Sequence, residues 1–208
     1  MFSIQTLSTF FSVSLLLAIA PGPDNLFVLS QGMLRGRLAG LMVTLGLCTG
    51  LILHTTLVAL GVAVIFQTST AAFTLLKVLG AGYLLYLAWQ ALRSRERKIG
   101  EAGMNILELG QLYRRGIIMN VTNPKVSLFF LAFLPQFADP SAGSLTLQMM
   151  ILGGLFILAT LLVFGSVAII AGQIGSWFAR SEKLQRVLNR LAGFLFILLA
   201  LKLITLEQ

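Results

Sequence analysis

Asp24 and Lys125 are the charges in this chain whose placement calls for a chemical explanation, because each lies inside a long apolar run and follows a proline. Asp24 belongs to Pro21-Gly22-Pro23-Asp24-Asn25, and Lys125 to Asn120-Val121-Thr122-Asn123-Pro124-Lys125. A proline removes a backbone donor and clashes with the carbonyl one turn earlier, so a regular helix cannot run through either segment. In hydrocarbon the freed carbonyls must find protein, water or ligand. Asn is a favoured N-cap and Pro a favoured first helical residue. Asn123-Pro124 therefore reads as the start of a half-helix whose N–H groups can face an anion such as a carboxylate. Taken alone, either break also fits a packing kink.

Depth ties the two segments together. Asp24 lies 11 residues before Arg35 and Lys125 lies 10 after Arg115. At a rise of about 1.5 Å per residue, both fall roughly 15 Å from the same basic boundary. A charge at that level costs about 2.5 to 3.5 kcal/mol unless it is paired or wet, so the two should face one cavity. Two readings follow. One is a static ion pair that fixes helix register. In the other, Asp24 holds a substrate ammonium or a proton, with Lys125 as its exchangeable counter-charge. His54 is the sole histidine, 17 residues after Arg37 and toward the opposite side. Its near-neutral intrinsic pKa suits a proton relay, and a simple hydrogen bond to a neighbour is the alternative. The candidate binding residues are Pro21, Gly22, Pro23, Asp24, Asn25, Asn120, Asn123, Pro124 and Lys125, with Asp24 and His54 for proton coupling. No metal site and no cofactor are expected.

The elements that must position these residues are long and apolar. Of 208 residues, 57% are hydrophobic and 11% charged, well away from the roughly 25% charged residues of an ordinary soluble domain. Six apolar stretches stand out: Leu7 to Gln31, Leu38 to Phe66, Ala71 to Leu92, Gly116 to Phe137, Leu145 to Ala171 and Val187 to Leu206. Each reaches the roughly 20 residues needed to cross a hydrocarbon core of about 30 Å as a helix. The expectation is an all-α membrane protein of six transmembrane helices, the first and fourth broken at prolines. The N-terminus has no Lys or Arg before its apolar stretch, so it reads as a retained first helix rather than a secretory signal.

Orientation follows from charge. Of the 15 basic residues, 12 lie in three clusters in alternate connections: Arg35 and Arg37; Arg93, Arg95, Arg97, Lys98, Arg114 and Arg115; and Arg180, Lys183, Arg186 and Arg190. The connections around Gln67 and Asp139 have none. The clusters should be cytoplasmic, with both termini extracytoplasmic. Trp89 and Trp177, each just before a cluster, suit the interfacial aromatic belt. The net charge of +8 is thus an orientation signal toward anionic membrane lipid, and nucleic acid is not expected as a partner.

Ala81-Gly82-Tyr83-Leu84 matches Ala192-Gly193-Phe194-Leu195, and Pro23 before a charge matches Pro124 before a charge. Three helices per half would invert the second half relative to the first, an arrangement common in transporters. The organisation expected is a three-helix repeat over 1–92, a cytoplasmic connection over 93–115 with Gly100 and Gly103, and a second repeat over 116–208. Gly36 with Gly40, and Gly46 with Gly50, allow close helix approach, either within the chain or in a homodimer. Cys48 stands alone and supports neither a disulfide framework nor a thiol-rich metal site.

Ala20-Pro21-Gly22-Pro23-Asp24-Asn25, Leu79 to Leu87 with Ala81-Gly82-Tyr83-Leu84 at its centre, and Asn123-Pro124-Lys125 followed by Phe129 to Phe137 together resemble the LysE/RhtB family of amino-acid exporters. The resemblance spans essentially the whole chain. It implies a multi-pass bacterial inner-membrane exporter of amino acids or their derivatives, working in exchange for protons. The wider superfamily also holds metal-ion transporters. Such a carrier should display several acidic, His or Cys ligands in the membrane, whereas this chain offers chiefly Asp24 and His54. A passive channel would need a continuous polar lining, and a membrane scaffold would leave both breaks and both charges unexplained. No nucleophile with a positioned base can be assembled, so an enzyme is not expected.

The charge asymmetry yields a direct test. A reporter fused after Gln208 should read as extracytoplasmic and one inserted near Gly100 as cytoplasmic; a cytoplasmic C-terminus would overturn the assignment.

Overall fold

The computed structural model of the chain describes residues 2–68, 70–93 and 107–205. Arg95, Arg97, Lys98, Gly100 and Gly103 lie outside the described residues, as do the side chains of Gln67, Trp177 and Arg180. Among the described residues every regular element is helical. Eight α-helices follow in order: α1 Ile4–Ile19, α2 Pro23–Arg35, α3 Arg37–Thr68, α4 Thr70–Arg93, α5 Leu109–Val121, α6 Pro124–Leu128, α7 Leu145–Arg180 and α8 Glu182–Thr205. A π-helical turn, Phe129–Phe133, and a 3-10 turn, Leu134–Phe137, continue α6.

Both proline segments break their helices as the residue types require. The axes of α1 and α2 meet at 62°, and those of α5 and the segment Pro124–Phe137 at 48°. Among the described residues three helical segments, Arg37–Gly61, Leu145–Ala171 and Gln185–Thr205, are each long and apolar enough to span a membrane, and there are up to five spans if each bent pair counts as one. The helix before the second break starts at Leu109, so Arg114 and Arg115 sit within α5 rather than in a connecting loop. Gly36 is the single residue between α2 and α3, and its φ of 85° is a left-handed turn that favours glycine.

α3 lies between α5 and α7, while α4 packs along α8. Small residues set the crossings. Gly46 abuts Gly116 and the Tyr113 carbonyl, and Gly50 abuts Asn120, so α3 and α5 run parallel. Gly40 meets Ala168 and Gly153 meets Thr55, which makes α3 and α7 antiparallel. Gly80 beside Leu203 and Gly193 beside Leu92 likewise make α4 and α8 antiparallel. Gly40, Gly46 and Gly50 are therefore used in packing within the chain. Arg35 Nη1 donates to Leu107 O at 2.7 Å, and the Arg115 guanidinium stacks 4.9 Å from the Phe27 ring. The first two basic clusters thus meet at one end of the bundle. Arg93 lies 5.0 Å over Trp89, joining the aromatic and the charge that the sequence placed at one interface.

Burial is arranged for an apolar surrounding. Ile52, Leu57, Leu60, Leu162, Leu198 and Leu201 are exposed on the bundle surface, whereas Asp24, His54, Asn120 and Asn123 are buried inside. Water would penalise contiguous apolar exposure of this kind. Phe10, Phe129, Phe130, Phe133, Phe137 and Phe156 form an aromatic core around the π-helical turn, with ring centroids 5.0–6.2 Å apart. Between that turn and α7, Asp139 caps a short 3-10 turn. Bonds from the Ser141 hydroxyl and N–H hold its carboxyl below the ordinary carboxylate value.

A Cβ added at Gly46 would meet the Tyr113 carbonyl and the Gly116 backbone, where nothing flexible can yield. Gly46→Ala should cost about 1 to 3 kcal/mol through overpacking and lower the thermal unfolding midpoint in detergent. Gly154→Ala on α7, which meets nothing within 4 Å, should leave the midpoint unchanged or raise it. Equal effects at the two positions would contradict the α3–α5 contact.

Candidate functional site

The site begins with the end of α1. The last four carbonyls of a helix have no intrahelical partner, and Pro21 and Pro23 remove the N–H groups that would have served Leu17 and Ile19 had the helix continued. Ala20 N–H closes the final helical bond, to Leu16 O at 2.9 Å. Two side chains supply donors for all four remaining carbonyls. Asn25 Nδ2 donates to Ala18 O at 2.7 Å and to Ile19 O at 3.4 Å. Lys125 Nζ donates to Ala20 O at 3.1 Å and to Leu17 O at 3.4 Å, reaching across from the second break.

The second break is held from the first in return. Asn123 caps α6, its Oδ1 accepting from Lys125 N–H at 3.0 Å. Its Nδ2 donates to Asp24 Oδ2 at 2.8 Å. Each break thus carries a residue that satisfies the other. Of the two readings of these charges, the direct ion pair is absent: among the described residues no contact within 4 Å joins Asp24 to Lys125. The carboxylate is held by an amide and the ammonium by carbonyls, because backbone acceptors freed at the break lie nearer the lysine.

One further expectation changes. The N–H groups of α6 do not stand free for an anion, since Lys125 N–H goes to Asn123 Oδ1 and those of Val126 and Ser127 to Asn123 O. A five-residue helix has no further first-turn donors to offer. The space flanked by Ala18, Ala20 and Gly22 is occupied by the lysine head, for a Cβ built on Gly22 would lie 3.2 Å from Lys125 Nζ. α2, by contrast, starts at Gly22 with no side-chain cap.

His54 sits closer to the breaks than a depth count along α3 suggests. Its Nε2 donates to Asn120 O at 3.2 Å, one turn before Asn123, and its ring lies 5.6 Å from that of Phe130. Asn120 is 2% exposed and is pressed against Gly50.

Five buried side-chain atoms among the described residues lack a hydrogen-bond partner: Asp24 Oδ1, Asn25 Oδ1, Asn120 Oδ1, Gln31 Oε1 and Gln136 Oε1. All five are acceptors. Three belong to the breaks, Gln31 lies two turns along α2 from Asp24, and Gln136 follows the π-helical turn. Buried acceptors without donors are costly, so the arrangement favours a species rich in N–H or O–H. Sequence reasoning did not single out Gln31 or Gln136; an uncharged polar residue inside an apolar run was the available signal. No group of three His, Cys, Asp or Glu suited to a metal occurs among the described residues.

Buried polar groups converging on two broken helices of an apolar bundle define a membrane protein with an interior polar site. The LysE type translocator family matches residues 15–207, and the chain belongs to that family. It is 29% identical over 201 residues to the leucine efflux protein of Salmonella typhimurium, covering 96% of this chain and 95% of that one. It is 33% identical over 189 residues to the homoserine/homoserine lactone efflux protein of the same organism, covering 89% of each. An uncharacterized membrane protein of Vibrio cholerae is 32% identical over 180 residues, covering 86% of this chain and 87% of the relative. No solved structure matches the chain.

Asn25 carries two of the four carbonyls at the end of α1. Asn25→Leu should destabilise the protein by about 1 to 3 kcal/mol by leaving them unpaired, with Asn25→Gln intermediate. Thermal unfolding in detergent measures the order; a stable Asn25→Leu protein would mean that water or another group serves these carbonyls.

Proposed function

We propose that the chain is a secondary active transporter that exports amino acids or amino-acid derivatives from the cytoplasm, with the cargo held between the two helix breaks. The observation that carries this reading is the reciprocal clasp of Asp24 with Asn123 and of Lys125 with Leu17 and Ala20, beside acceptor oxygens that no protein donor fills. A zwitterion needs acceptors for its ammonium and donors for its carboxylate, and lipid supplies neither. Asp24 Oδ1, with the free oxygens of Asn25 and Asn120, suits the ammonium. The Lys125 head and the uncapped start of α2 suit the carboxylate. The names of the relatives, which specify leucine, homoserine and homoserine lactone, support a cargo without a charged side chain.

The transporter lies in the bacterial inner membrane with six spans, α4 completing the five that length and apolarity support, and with both termini outside. The halves 1–92 and 116–208 are inverted repeats joined by 93–115. Support comes from the antiparallel pairs α3–α7 and α4–α8, each of which joins corresponding helices of the two halves. The tetrapeptide match is weaker support, because Gly193 is packed against Leu92 whereas Gly82 is open. Export is driven by proton antiport: Asp24 takes a proton when the cargo ammonium leaves, and His54, bonded to Asn120 O, lies beside the route between the site and the outer face.

Everted membrane vesicles test this reading. Vesicles carrying the protein should accumulate leucine or homoserine when a proton gradient is imposed, and a protonophore should abolish the accumulation. Asp24→Asn, which removes the charge with little change of shape, should reduce uptake to background while the protein stays in the membrane. Normal uptake by Asp24→Asn would make the carboxylate structural. Uptake insensitive to the protonophore would remove proton coupling.

A further inference from the structure

We infer that the Lys125 ammonium is a displaceable internal occupant of the cargo-ammonium seat, so that cargo enters by exchanging its own ammonium for that of the lysine. The inference rests on the proposed transport reading and deepens it.

The seat is built from main-chain groups. Pro21 leaves Leu17 O without a helical donor, and the bend at Pro21 to Pro23 turns Ala20 O out of the helix as well. The Lys125 head reaches both carbonyls at 3.4 and 3.1 Å. Gly22 closes the seat on one side, with the site of its absent Cβ 3.2 Å from Nζ. A primary ammonium is thus what this seat accepts, and the lysine is one supplied on a flexible four-carbon stem.

Three features favour exchange over a fixed cap. An ammonium carries three donors, and the lysine uses two on these carbonyls while Asp24 Oδ1 and Asn25 Oδ1 stay unfilled. A small free ammonium, without the tether, could take carbonyls and carboxylate together. The lysine is not locked by an ion pair within 4 Å to Asp24. Once displaced, its head is a cation for the cargo carboxylate beside the uncapped start of α2, since the first-turn N–H groups of α6 are already used. The chemistry of the relatives' cargoes agrees: leucine and homoserine carry a free carboxylate and homoserine lactone does not, whereas all three carry a primary amine. The amine is the feature that recognition can share.

The probe is ethylammonium, which has the amine and nothing else, with binding measured on purified protein by calorimetry. An occupant that leaves the seat open only about a tenth of the time lowers apparent affinity about tenfold, so Lys125→Met should bind ethylammonium about tenfold or more tightly than wild type. Lys125→Gln, whose amide can still donate to a carbonyl and support the fold, should fall between. Ethylammonium should also compete with leucine on the wild-type protein. If ethylammonium affinity is the same with and without the lysine, the seat is not contested and the inference fails. If neither variant folds even with ethylammonium present, Lys125 is a fixed cap and the inference fails. The outcome is separable from that of the transport reading, since an ethylammonium gain in Lys125→Met with no amino-acid uptake by wild-type vesicles would keep the seat and remove the amino-acid cargo.

Discussion

Four carbonyl oxygens at the end of α1 lose their helical donors at the prolines, and the centre of the molecule is arranged around that need. In water the end of a helix is a minor event, since solvent completes it at little cost. Among apolar helices each unpaired carbonyl costs on the order of a kcal/mol or more, so the break at Pro21 and Pro23 persists only because Asn25 and Lys125 reach it. The lysine comes from the second break, which makes the two breaks one structure. Asn123 completes the circuit by joining the N-cap of α6 to Asp24. A site formed this way is polar but not saturated, and the surplus is entirely of acceptors.

The rest of the bundle fixes where these residues meet. Glycines bring α3 against α5 and α7 closely enough that Asn120 and His54 meet across the first contact. The aromatic core around the π-helical turn seals the segment that follows Lys125, with Phe129, Phe130 and Phe133 at most 1% exposed. Widened turns of this type often mark functional sites, because they release a backbone group and re-aim side chains. Here Ala132 O within the turn accepts from Gln136 Nε2 at 2.6 Å, leaving the glutamine oxygen without a partner.

Much of the site was legible because its residues are improbable in lipid. Prolines, a carboxylate and a lysine inside apolar runs stand out without any knowledge of the fold, and counting residues from the basic clusters grouped the two charges. Counting cannot say which partner a buried charge chooses. A direct ion pair, one of the two readings that charge alone allows, is absent among the described residues: the lysine takes carbonyls beside the prolines instead, and that competition is a matter of ångströms. His54 shows the same limit: the rise along α3 put it toward the far side, but its Nε2 bonds to Asn120 O, one turn before Asn123.

The sequence by itself determined that the chain is helical, that its surroundings are apolar, where its two helices must break and which end of the bundle collects the basic residues. These follow from local rules: proline lacks a donor, apolar runs of sufficient length must close their own hydrogen bonds, and arginines stay near charged interfaces. Only the tertiary structure decided that the freed carbonyls of one break are served by the lysine of the other, that Asn25 folds back to take the remaining two, and that the N–H groups of α6 are already used. Those outcomes depend on distances between residues more than a hundred positions apart, such as Lys125 and Leu17 or Ala20, and they are fixed by how glycine-lined helices cross.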